Sequence, residues 1–186
     1  QIFEVRAAFW VPTHPRSEES AIQVFGNTRG LKANQVQQLE RLFRRRLDAD
    51  VLLNNDFARQ LTELSREIRR QVGVLVDRRG NVAHVMVGGP TSLALPDWGR
   101  LRAGEGRLRG LRCIHTHLAN EGLTRDDQTD LLLLRLDAMV SVSALPDGLP
   151  GLAYIASLEP AVRSKKGIEE HTPVHPAQID IDFQHW

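Results

Sequence analysis

The chain has 186 residues, 41% hydrophobic and 25% charged, proportions that exclude a collagen-like, wholly disordered or disulfide-stapled chain. Its one cysteine, Cys113, excludes an intrachain disulfide and fits a reducing compartment. The net charge is only +1, but residues 26–112 hold 17 Lys and Arg against 9 Asp and Glu, whereas residues 113–186 hold 5 against 11. A basic middle beside an acidic C-terminal part implies a polyanion-facing surface. Of the 24 basic residues 21 are arginine, whose forked guanidinium suits phosphate. The longest leucine run, at 131–134, is far short of the roughly 18 apolar residues that span a bilayer. No basic segment followed by an apolar stretch opens the chain, so neither a signal peptide nor a membrane contact is expected, and the expected location is cytoplasmic.

Residues 2–11 read as a strand, and 12–20, with two prolines and a Ser-Glu-Glu-Ser run, as a connector. A short apolar strand follows at 21–25 and breaks at Gly26. The spacing of Val36, Leu39, Leu42 and Phe43 predicts a helix over 34–46 with Arg41, Arg44 and Arg45 largely outside its apolar face. Phe57, Leu61, Leu64 and Ile68 predict a second helix over 56–71, capped by Asn54 or Asn55. The period then changes: 72–76 and 82–87 are strands of a hairpin turning through Asp77-Arg-Arg-Gly80. Leu93 and Leu95 suggest another short strand, and Gly104 and Gly106 mark a loop among Arg100, Arg102, Arg107, Arg109 and Arg112. Residues 111–117 read as a central strand, and 124–137 as a helix opened by the Thr124-x-x-Asp127 capping box. Strands at 139–145 and 151–158 join through Pro146-Asp-Gly148, and a polar stretch leads to an extended segment at 179–183. The element order predicts an α/β fold, with α and β mixed: a central mixed sheet with β-hairpins and three main helices packed on it.

The 186 residues contain no G-x-x-x-x-G-K-[ST] phosphate loop and no G-x-S-x-G elbow. Cys113, on a buried strand, reads as a small core residue. His115-Thr116-His117 is the sharpest constellation, because residues two apart on a strand share a face and two imidazoles can then reach one metal. Asp126, Asp127 or Asp130 would supply a carboxylate ligand. This arrangement resembles the JAMM-type zinc hydrolases, whose His-x-His-Pro strand end precedes a Ser-x-x-Asp helix start. Here Leu118 replaces the proline, the interval to Thr124-x-x-Asp127 is one residue shorter, and no upstream glutamate is placed as general base. The opposing expectation is a metal-free network in which Thr124 and Asp127 cap the helix and the histidines brace the 118–123 loop.

Several longer motifs, in order, are similar to the N-terminal domain of HflX, a family of ribosome-associated GTPases. They are Gly26-Asn-Thr-Arg-Gly-Leu-Lys32, Leu64-Ser-Arg-Glu-Ile-Arg-Arg-Gln-Val-Gly-Val-Leu-Val-Asp-Arg-Arg-Gly80, Leu108-Arg-Gly-Leu-Arg-Cys-Ile-His-Thr-His-Leu118, Leu123-Thr-Arg-Asp-Asp-Gln-Thr-Asp130, Leu134-Arg-Leu-Asp-Ala-Met139 and Pro176-Ala-Gln-Ile-Asp-Ile-Asp-Phe183. The resemblance spans about 26–183. It implies an extension or connector at 1–25, an α/β domain at 26–160, and a polar tail at 161–186 leading toward helical and GTPase domains. It further implies a ribosome-docking role on the large subunit and its RNA, in ribosome splitting or rescue, with packing against the GTPase domain of the same polypeptide. GTP and Mg2+ would belong to that later domain, so these residues are expected to hold no cofactor, bind no GTP tightly and contain no catalytic residue. On this reading Arg44, Arg45, Arg46, Arg78, Arg79, Arg107 and Arg109 contact ribosomal RNA, and His115, Thr116, His117, Asp126, Asp127 and Asp130 shape a domain interface or ligand site.

Overall fold

The computed structural model describes residues 23–95 and 108–158 and the backbone of 177–179. The expectations for 1–22, for Arg100, Arg102 and Arg107, for the Gly104–Gly106 loop and for most of the tail lie outside them. The described residues form the expected α/β architecture, a mixed sheet with helices on both faces. Its strands are β1 (Val24–Gly26), β2 (Val72–Asp77), β3 (Val82–Val87), β4 (Leu111–His117), β5 (Ala138–Ala144), β6 (Pro150–Ser157) and β7 (Ala177–Ile179), in the spatial order β1-β3-β2-β4-β5-β6-β7. β1 pairs with β3, and β4 with β5, in parallel; every other pair is antiparallel. Part of the segment read as a tail thus forms one edge strand of the sheet, β1 forming the other.

Helices α1 (Ala33–Arg41) and α2 (Asn55–Ile68) cover one face and α3 (Arg125–Leu134) the other. Side-chain alternation explains the division. Val72, Val74, Val76, Ile114, Val140 and Val142 point toward Leu39, Leu42, Phe57, Leu61 and Leu64. Leu75, Met86, Cys113 and Met139 point the other way, toward Leu131, Leu134 and Leu136. Leu132 and Leu133, inside the leucine run, are more than half exposed, because a helix buries only one side of such a run.

Each helix stops before its expected end. α1 gives way to a 3-10 turn at Leu42–Arg44, and Arg45 is extended. α2 ends where Arg69 adopts a left-handed conformation (φ 54°), and α3 ends the same way at Arg135. The stretch after α2 is claimed instead by the sheet: Gln71 N–H donates to Gly89 O and Gly88 N–H to Gln71 O. Asp137, expected inside the third helix, lies beyond it. The short strand expected at Leu93 and Leu95 does not form. Gly89 N–H donates to Ser92 O in a turn, and Leu95 is buried in the cluster that holds Leu75 and Met86.

Candidate functional site

His115 and His117 lie at the C-terminal end of β4 on the α3 face, and both are buried, about 1% exposed. Their Nε2 atoms are 2.9 Å apart. Asp127, on the first turn of α3, closes the cluster: Oδ1 is 3.1 Å from His115 Nε2 and Oδ2 is 3.4 Å from His117 Nε2. The capping box fixes this carboxylate. Thr124 N–H and its hydroxyl both donate to Asp127 Oδ2 at 2.7 Å, and Asp127 N–H donates back to Thr124 Oγ1 at 3.2 Å. Oδ2 therefore serves the helix and lies beside His117, and Oδ1 is presented to His115.

Burial alone would raise the Asp127 carboxyl. The bonds to His115 and His117, the charge of His115 and the Thr124 bond outweigh it and hold the group well below the usual carboxylate range. Behind the rings, both Nδ1 atoms are buried without a hydrogen-bond partner, and Glu121 Oε1 lies 3.7 Å from that of His117. Cys113 shares this face, and burial pushes its thiol far up, so it is an inert core residue as expected.

The expected group of six residues divides. Asp126 is exposed, and neither it nor Asp130 joins the converging ligand atoms. Thr116 faces the opposite side of the sheet, where its hydroxyl donates to Ser65 Oγ and accepts from Val72 N–H. Strand alternation already separates it from its histidine neighbours. Nor do the histidines alone brace the 118–123 loop, because Arg66 donates to Leu118 O, Ala144 O and Leu145 O and so ties α2 to the ends of β4 and β5. Nothing in its sequence neighbourhood distinguishes Arg66 from the exposed arginines.

The arginines gather at the other end of the sheet. Leu47 N–H donates to Gly80 O, and Arg46 bridges to Asn81, so the segment 44–47 lies along the hairpin turn. Arg44, Arg45, Arg46, Arg78, Arg79 and Arg109 are all exposed. Arg78 is already engaged: its Nε and Nη2 donate to both oxygens of Asp137, which also accepts from Gly110 N–H. Arg45 sits over the Phe57 ring, 6.0 Å from its centroid. Arg112, which sequence reading placed both in the basic stretch and on the central strand, is 7% exposed, and its Nε and Nη2 have no hydrogen-bond partner among the described residues. Burial pulls its guanidinium below the usual value, opposed by Asp77.

Among the described residues no helix is long and apolar enough to cross a membrane. Compared with family models, curated proteins and solved structures, the chain matches none of them.

Proposed function

We propose that this chain is a ribosome-docking module of an HflX-type GTP-binding protein, contacting large-subunit RNA with its arginine-rich pole in ribosome splitting or rescue. The observation that supports this reading most is the lashing of segment 44–47 onto the hairpin turn. Charges separated by more than 30 positions in sequence, Arg44 to Arg46 and Arg79, are thereby brought to one end of the sheet. Several exposed arginines on one surface neutralise successive phosphates of a polyanion and release its counterions. The motifs similar to the HflX N-terminal domain supply the ribosomal context, with the GTP and Mg2+ chemistry assigned to another domain of the same polypeptide.

Filter binding of large-subunit RNA to the 186-residue chain, titrated against KCl, tests the proposal. Affinity is expected to fall steeply with salt, and each arginine among 44–46 changed to alanine should reduce the logarithmic salt slope by about 1. Salt-independent binding, or binding indifferent to those three substitutions, would overturn it.

The convergence of His115, His117 and Asp127 favours a second reading, a JAMM-like zinc hydrolase. That chemistry needs a general base on the ligand face. Positions 71, 73 and 75 share the face by alternation, and they are glutamine, glycine and leucine. Glu121 approaches His117 at Nδ1, across the ring from the converging atoms. Hydrolysis is therefore the weaker of the two proposals.

A further inference from the structure

We propose that His115, His117 and Asp127 form a binding site for one divalent transition-metal ion of the zinc class, held by the two Nε2 atoms and Asp127 Oδ1. The inference is independent of the ribosome-docking proposal and rests on the convergence of three ligand-type atoms, two of them on imidazoles about 1% exposed. A neutral imidazole carries one N–H, fixed in the ring plane. If both Nε2 atoms carry their protons, two N–H groups face each other across 2.9 Å. If His117 Nε2 gives up its proton, it accepts from His115 Nε2–H at 2.9 Å, but it also faces Asp127 Oδ2 at 3.4 Å, and its own N–H moves to an Nδ1 buried without a hydrogen-bond partner. If His115 gives up its proton, a lone pair faces Oδ1 and the N–H moves to an Nδ1 buried without an acceptor. A cation among the three atoms would be held by both Nε2 lone pairs and by Oδ1, with the ring protons on Nδ1 of each histidine.

The dimensions agree. Ligands about 2.0–2.2 Å from a tetrahedral zinc lie roughly 3.3 Å from each other. The observed separations of 2.9 and 3.1 Å need to widen by only a few tenths of an ångström, and the three ligand atoms all lie within 4.8 Å of one another. Two imidazoles and one carboxylate match zinc and its first-row neighbours, whereas calcium and magnesium require oxygen ligands. The surroundings fit as well. Thr124 locks the carboxylate, and Glu121 Oε1, 3.7 Å from His117 Nδ1, needs to close by less than an ångström to accept the N–H of a metal-bound imidazole. Three protein ligands leave the fourth position to water or to an oxygen of an incoming ligand.

The test strips the 186-residue chain with chelator and titrates it with Zn2+ alone by calorimetry, then with Co2+ by absorption. One ion per chain is expected, with a tetrahedral cobalt spectrum and a raised thermal midpoint. Asp127→Asn keeps an oxygen for the Thr124 cap and should abolish the binding, as should His117→Ala. Glu121→Gln should weaken binding about tenfold, and His84→Ala, on another strand, should change nothing. Absence of saturable binding at one ion per chain would overturn the proposal, and so would stoichiometric binding that survives Asp127→Asn. That variant decides the matter even if a histidine variant fails to fold.

Discussion

Asp127 shows how much one side chain is asked to do, since its two oxygens face different tasks. Removing the partner hydroxyl by Thr124→Ala should cost about 1 kcal/mol, the ordinary worth of an N-cap, read as a lowered urea midpoint with an unchanged slope. The same change frees the carboxylate to rotate, so Zn2+ affinity should fall although no ligand is touched. Asp137 carries a comparable double duty, accepting from Arg78 and from Gly110 N–H. The Arg78 bond, against some burial, holds its carboxyl below the ordinary value. A depressed carboxyl stabilises the fold above the unfolded-state value near 4 and loses that contribution as pH falls through the folded value. With Arg78 largely exposed, the contribution should be no more than about 1 kcal/mol. Urea midpoints measured from pH 6 down to pH 3 should fall less steeply for Asp137→Asn than for the parent chain.

Among the connections between elements, Gly80 is the least replaceable. Its φ is +86°, and a Cβ there would lie 1.7 Å from Leu47 O, a backbone atom that cannot swing away. Gly80→Ala should cost more than about 2 kcal/mol, combining left-handed strain with displacement of the 44–47 segment. It should also weaken RNA binding by uncoupling Arg46 from the turn. Arg66→Met should cost about 2 kcal/mol in chemical denaturation, because three carbonyls lose a charged donor, and Arg66→Lys should recover little of it.

What sequence could and could not foresee divides along similar lines. The hairpin, β4, the β5–β6 pair and both side-chain caps were legible, because alternation, turn residues and capping are local signals. Helix ends were not: Arg69 and Arg135 end their helices without a glycine, and Gln71 was drawn into sheet pairing with residues 88 and 89. His115 and His117 were singled out by their spacing alone. Asp127 was already favoured over Asp126 and Asp130 by the Thr124-x-x-Asp127 match to a Ser-x-x-Asp helix start, and the structure brings this carboxylate to the histidines.

At the scale of the molecule, the two proposed sites occupy opposite ends of one strand. Leu111 pairs with Asp77 beside the hairpin turn, and His117 lies six residues on, about 20 Å away for an extended chain. Changes that far apart, with no shared partner, should act independently. Replacing Arg44, Arg45 and Arg46 together should leave the Zn2+ titration curve unaltered, and Asp127→Asn should leave the RNA salt slope unaltered.

The sheet order also has a kinetic consequence. β1 is held by three residue pairs on β3, and Val24 meets Val85 only by closing a loop of about 60 residues. Such a closure costs on the order of 3–4 kcal/mol of chain entropy, which a three-residue parallel ladder repays poorly. β2, β4 and β5 close loops too, about 34 residues from Asp77 to Leu111 and about 26 from Arg112 to Ala138, but longer ladders on both sides and a buried core offset that cost. Native-state amide exchange should therefore proceed from the rim inward, with the amides of β1 becoming labile at far lower denaturant than Val74, Ile114 and Val140. In refolding, β1 should gain protection last, as a late docking step onto a sheet whose centre is already assembled.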